Sequence, residues 1–335
     1  MSGRPINRRR DAARSGRIGT EGDVSAIREM IPLGDTMYFV KEHGIYALQL
    51  ADEIDPGRTN AAIPDTQQCV LRIGSDDPVV ARTLLTANTL FKEAVLGVEF
   101  PREKALRITL SVLKDIVALA DMRVDLEAAD ARAREKFLSE RQTPGSLVLP
   151  AIGNLEARCD AFAQKAGHIV NALEDIAKCF YPKELAKKWI DSLTALAAER
   201  YGTDSSFAVW MRNARPSLLF VNEMRNMIEH PRPDWRIEIS DFRLTPSGNI
   251  DPPFINVVRP GEEPHKATVT LLMSKIVDEL VSASEVLTAL LCGANARPFG
   301  GLPVGVVELP LEQREYKHQR FYYGAPWGGG IARFG

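Results

Sequence analysis

Little in this chain marks it for metal, redox or membrane chemistry. Of its 335 residues four are cysteine, Cys69, Cys159, Cys179 and Cys292, scattered with no Cys-x-x-Cys pair and no histidine at ligand spacing. That pattern indicates neither a zinc site nor a disulfide framework, so a reducing compartment and no bound metal are expected. The first residues lack the apolar core of a secretory signal. Nor does any uninterrupted apolar stretch approach the roughly 20 residues that span a bilayer. A soluble, cytoplasmic protein with no membrane partner is the expectation. Net charge is only −2, which argues against a uniformly basic nucleic-acid binder. The glycine-rich segments match neither a phosphate-binding P-loop nor a dinucleotide fingerprint, and no Gly-x-Ser-x-Gly elbow occurs. No cofactor and no Ser or Cys nucleophile is therefore expected.

What remains is an ordinary core-forming composition, with 45% hydrophobic residues. Residues 1–30 begin with Arg4, Arg8, Arg9, Arg10, Arg14 and Arg17 against the single acid Asp11, and read as a disordered basic arm. Residues 31–145 read as a mostly helical N-terminal region. Within it, 36–50 suits either a short helix or a strand pair, and 52–68, with two prolines and a glycine, reads as a loop. Asp77-Pro78 signals the start of a helix running to about Leu96. A second helix is predicted from Pro101 to about Arg141, through Leu106, Leu110, Leu113 and Val117. Thr143-Pro-Gly-Ser146 breaks the pattern and is the expected boundary to a domain over 146–295.

That domain should hold four helices, at about 154–180, 183–200, 205–230 with an interruption near Pro216, and 267–292 with Gly293 as a stop. Their number suits an antiparallel bundle. Alternation from Trp235 to Leu244, the turn-rich Thr245–Asn249, and a second run through Phe254, Ile255 and Val257 predict a β-hairpin inserted at about 234–260. Residues 296–335, rich in Gly, Pro and aromatics, read as a mostly irregular tail with a short strand near Val304–Leu309. The fold class expected is mainly α.

One constellation could do chemistry. The segment Ser217 to Pro231 places Arg225 and His230 five positions apart on one helix, with Asn226 beside the arginine. Pro231 disfavours the α conformation at His230, so the histidine should sit at the frayed C-terminal edge. Arg225-Asn226-x-x-x-His230 resembles the Arg-x(4–6)-His motif of the HEPN superfamily, whose members are helical, commonly dimeric, and often metal-independent endoribonucleases. The resemblance covers about residues 150–293. It implies catalysis by Arg225, His230 and Asn226 in a homodimer, in a toxin or antiviral setting where a protein inhibitor is a possible partner.

The residue types suit that reaction. Neutral imidazole can take the proton from a ribose 2′-OH as it attacks the adjacent phosphorus. A guanidinium offers paired donors to the phosphate oxygens as negative charge develops. DNA lacks the 2′-OH, so RNA is the expected substrate. The leaving 5′-oxygen also needs a proton, and the other histidines are distant in sequence; a second His230 across a two-fold axis would supply it. Trp210, Arg212 and Arg215 are candidates for RNA contact, since bases stack on aromatics and phosphates meet arginine. The rival readings are a non-catalytic dimerising scaffold, and RNA or nucleotide binding without turnover.

Overall fold

A computed structural model of the chain describes residues 17–20, 22–139, 145–185, 188–327 and 330–334. The chain opens with four strands, β1 (Ile27–Leu33), β2 (Thr36–Lys41), β3 (Ile45–Gln49) and β4 (Thr66–Leu71). After short helical turns come α1 (Arg102–Ser139), α2 (Leu155–Phe180), α3 (Trp189–Tyr201) and α4 (Ser206–Glu229). Strands β5 (Arg236–Ser240), β6 (Arg243–Leu244), β7 (Ile250–Asp251), β8 (Phe254–Val258) and β9 (His265–Thr268) lead into α5 (Val269–Asn295). The chain closes on β10 (Gly305–Glu308), β11 (Phe321–Trp327) and β12 (Gly330–Phe334). Long helices with small antiparallel sheets are thus the architecture.

The chain packs as two compact units, residues 1–110 with 288–335, and residues 111–287. The breaks fall inside α1 and α5, not at the expected 143–146 segment, of which 143 and 144 lie outside the described residues.

In the first unit β1 to β4 form an antiparallel sheet in sequence order. A two-residue turn joins β1 to β2, with Gly34 at φ 60°, the left-handed value that tight hairpin turns favour. Ile31, Leu33, Val40 and Ile45 are buried. This sheet stands beside the helices expected within 31–145 and resolves 36–50 as two strands. Residues 27–30 belong to β1, not to a disordered arm; the first sixteen residues lie outside the described set. Beside the sheet, Asp23 accepts hydrogen bonds from the Ser25 amide and hydroxyl at 2.9 and 2.6 Å and pairs with Lys41 at 2.9 Å.

Asp77 starts the next helix as expected, accepting from the Val79 amide at 2.7 Å. The helix then widens into a π-turn over Ala81–Leu85, where the Thr86 hydroxyl donates to the Ala81 carbonyl at 2.9 Å. It ends at Leu90, because Phe91 leaves helical geometry at ψ 64°, and only a separate turn spans Glu93–Leu96. In the C-terminal segment the strand expected near Val304–Leu309 is present as β10, and β11 and β12, which had no sequence signal, complete a three-stranded sheet with Tyr322 and Tyr323 fully buried. The Tyr323 hydroxyl donates to the Leu90 carbonyl at 2.7 Å, and Gln319 donates to the Thr89 hydroxyl at 2.8 Å. Gly293 does not stop α5, which continues to Asn295.

The second unit follows the helical pattern more closely. In α2, Phe162, Ala166, Ile169, Leu173 and Ile176 recur at spacings of four and three and are all buried. Each large member contributes about 1.5–3 kcal/mol relative to exposure. Helix α3 buries Trp189, Ile190, Leu193 and Ala197 and starts later than expected, at Trp189. The Ser205 side chain begins α4 by accepting from the Ala208 amide at 3.2 Å, and Pro216 sits inside that helix without ending it. Helix α4 packs against both α2 and α3. The expected hairpin is present as β5 and β8, with β6 and β7 forming a small ribbon at its tip. A third strand, β9, adds to β8 and had no sequence signal.

Candidate functional site

The motif lies on the last two turns of α4. Val221, Met224 and Met227 are buried, so Asn222, Arg225, Asn226 and Glu229 fall on the opposite, exposed side. Arg225 keeps 49% of its side chain exposed and donates from Nε to Glu229 Oε1 at 3.0 Å. The Asn226 side chain makes no hydrogen bond among the described residues; the guanidinium is held by Glu229 and not by Asn226. His230 caps the helix, its amide donating to the Asn226 carbonyl at 2.9 Å, and its backbone departs at φ −128°, ψ 58°. The proline that follows excludes a further helical turn. The imidazole is exposed and without a hydrogen-bond partner among the described residues.

Directly beyond, the backbone turns on itself. Arg232 and Trp235 exchange two backbone hydrogen bonds at 3.0 and 3.1 Å, and the Arg232 guanidinium lies 5.5 Å from the centre of the Trp235 ring. Sequence reasoning passed over this exposed cation. The clue was Pro231-Arg-Pro233, two φ-fixed residues bracketing an arginine immediately after the histidine.

The other expected RNA-contact residues do not join this cluster. Twenty residues of α4 separate Trp210 from His230, about 30 Å at helical rise. Arg215 donates from Nε to Asp191 Oδ1 at 2.7 Å, whereas exposed Arg212 has no carboxylate partner among the described residues. Trp210 is half-buried and walls a groove of about 250 Å³ between α4 and α5.

Among the described residues no group of three or more His, Cys, Asp or Glu side chains is placed to hold a metal ion. Burial pushes the Cys159 thiol up to about 12, with Glu156 adding to the effect, and pushes Cys292 higher still. Neither is a nucleophile near neutral pH. Among the described residues no helix is long and apolar enough to cross a membrane. Comparison with known proteins finds no matching family model, no matching curated protein and no matching solved structure.

What the arrangement can do follows from magnitudes. An exposed i,i+4 pair such as Arg225–Glu229 is worth only about 0.2–0.5 kcal/mol. So weak a pair leaves the guanidinium open to a competing anion, such as a phosphate that it could hold through two donors. The site therefore offers one available guanidinium, one unengaged imidazole and one free amide at a single helix end.

Proposed function

We propose that the protein is a HEPN-like endoribonuclease that needs no metal and works as a homodimer in the cytoplasm. Two copies of the α4 C-terminus meet across a two-fold axis. One His230 takes the 2′-OH proton, the other protonates the leaving 5′-oxygen, and Arg225 with Asn226 holds the phosphate as charge develops. A toxin or antiviral role, with a protein inhibitor in the resting state, fits that activity. The observation that carries the reading is the exposure of Arg225, Asn226 and His230 together at one helix end, with only Glu229 among the described residues engaging any of their side chains.

The test is incubation of the purified protein with labelled RNA and DNA in chelator. RNA alone should be cut, and His230→Ala should lose about 100-fold or more, the usual contribution of a general acid or base. Undiminished cleavage in that variant would overturn the proposal. The Arg225–Glu229 pair favours a second reading, in which the motif is an ordinary helix end of a dimerising scaffold. That reading expects no cleavage of either nucleic acid, with self-association unchanged in His230→Ala.

A further inference from the structure

The groove between α4 and α5 has a chemistry of its own. On α4 its lining recurs at Trp210, Asn213, Ala214, Ser217, Leu218 and Val221, one continuous helical stripe. Across it, α5 presents Glu279, Leu280, Ser282 and Ala283. Pro216 lies within the α4 span of this stripe, where its missing N–H leaves the Arg212 carbonyl without its helical donor and its ring crowds that turn. At about 250 Å³ the space is below the usual range for drug-sized ligands and suits one small flat group.

Three features define that group. Trp210 and the aliphatic walls call for an apolar ring face. Glu279 is exposed and makes no ion pair or hydrogen bond among the described residues. Ionised, it can only accept, so the ligand must bring donors, and two adjacent donors satisfy a carboxylate best. Among the described residues no cation lines the groove, so a phosphate belongs outside it, and Arg212 stands exposed on α4 one residue before Asn213.

From this we infer that the groove seats a guanine base, stacked on Trp210, its N1–H and N2–H2 donated to the Glu279 carboxylate and its O6 or N7 facing the Asn213 amide. Adenine, cytosine and uracil present no such pair of adjacent donors on one edge. The base comes either from a strand of RNA or from a free nucleotide. The first source rests on the proposed ribonuclease activity and would make the groove a remote anchor, about 30 Å along α4 from His230 and so several nucleotides from the cut. The second does not depend on that activity.

Titration calorimetry on the full-length His230→Ala protein, which separates binding from cleavage, tests the inference. The ligands are GMP, AMP, CMP, UMP, and short single-stranded RNAs with and without one guanine. GMP or the guanine-containing RNA should bind at least tenfold more tightly than its counterparts. Binding by the RNA alone assigns the seat to a strand, and binding by both admits the free nucleotide. Glu279→Gln, at an exposed position, should erase the preference. Ala214→Phe, which fills the groove, should abolish binding while helical circular dichroism is retained. Equal affinity for all four bases, no binding by GMP and the guanine-containing RNA alike, or an unchanged preference in Glu279→Gln would overturn the assignment. So would loss of self-association in Ala214→Phe without any nucleotide binding, which gives the groove to a second copy of the chain. Failure of cleavage in the unmutated protein bears only on the reaction at His230.

Discussion

Two ion pairs, one in each unit, look alike as residue types and behave as opposites. Lys41 and Asp23 in the first unit retain 3% and 14% of their side-chain exposure and sit within further bonds to the Ile18 carbonyl, Ser25 and Tyr46. Arg225 and Glu229 in the second retain 49% and 29% and, among the described residues, have only each other. A charge pair enclosed by further hydrogen bonds is committed to structure, since breaking it strands a partner. One left in solvent is cheap to open and so remains available to a ligand. Exposure alone does not mark a site, since Arg107–Glu103 and Arg123–Glu127 are i,i+4 pairs open to solvent as well; what sets Arg225 apart is His230 at the same helix end.

The sharpest way to break that contrast is through activity. His230→Ala should lower RNA cleavage about 100-fold or more while leaving thermal unfolding unchanged, because the imidazole is exposed and, among the described residues, unbonded. Coupled loss of fold and activity would place His230 with the structural pair instead.

The next effect concerns the buried pair. Hydrogen bonds from Ser25 first, then Lys41, with the Lys41 charge adding to them, hold the Asp23 carboxyl well below the usual carboxylate range. Below about pH 4 the unfolded chain takes up a proton here while the folded chain resists it. This contribution is therefore complete at neutral pH and is lost as pH falls from about 4 toward the depressed folded value. Denaturant unfolding at a series of pH values should show Asp23→Asn less stable at pH 7, with the gap to the unmutated protein closing in acid. A gap that does not change with pH would mean that the pair adds nothing through ionisation. Lys41→Met should lower the unfolding midpoint more than any change at Glu229.

A smaller effect tests the C-terminal sheet. Tyr323→Phe removes the bond to the Leu90 carbonyl, which also accepts from the Lys92 amide at 2.8 Å, so the cost should be about 0.5–1.5 kcal/mol in equilibrium unfolding. No loss would return that segment to the irregular tail its composition suggests.

Which of these features could be read from sequence follows from how local their causes are. The periodic helices over Leu155–Phe180 and Ser206–Glu229, the second capped by Ser205, and the hairpin at β5 and β8 were legible, since spacing and turn residues carry them. The four-stranded sheet was not, because β4, Thr66-Gln-Gln-Cys-Val-Leu71, is polar and largely exposed and imitates a loop. Nor was the burial of Tyr323, whose hydroxyl bonds to the Leu90 carbonyl more than two hundred residues away. At the site, the place of His230 at the helix's C-terminal edge followed from Pro231, whereas the exposure of Arg225 and Asn226 emerges only with the burial of Val221, Met224 and Met227. The groove at Trp210 was not legible, because half of its lining arrives from α5.

The smallest expected effect divides the enzyme from the scaffold most finely. Glu229→Gln removes the charge that holds Arg225. Because the pair is exposed, unfolding should change by no more than about 0.5 kcal/mol, whichever function is right. Phosphate affinity is where the readings part. If Arg225 serves a phosphate, Glu229 competes with the substrate and also repels it, so affinity for RNA in the His230→Ala background should rise by about twofold. If Arg225 only closes a helix, freeing it changes nothing that binds. A measured RNA affinity that stays flat, or falls, in Glu229→Gln would move Arg225 to the structural side of the comparison with Lys41.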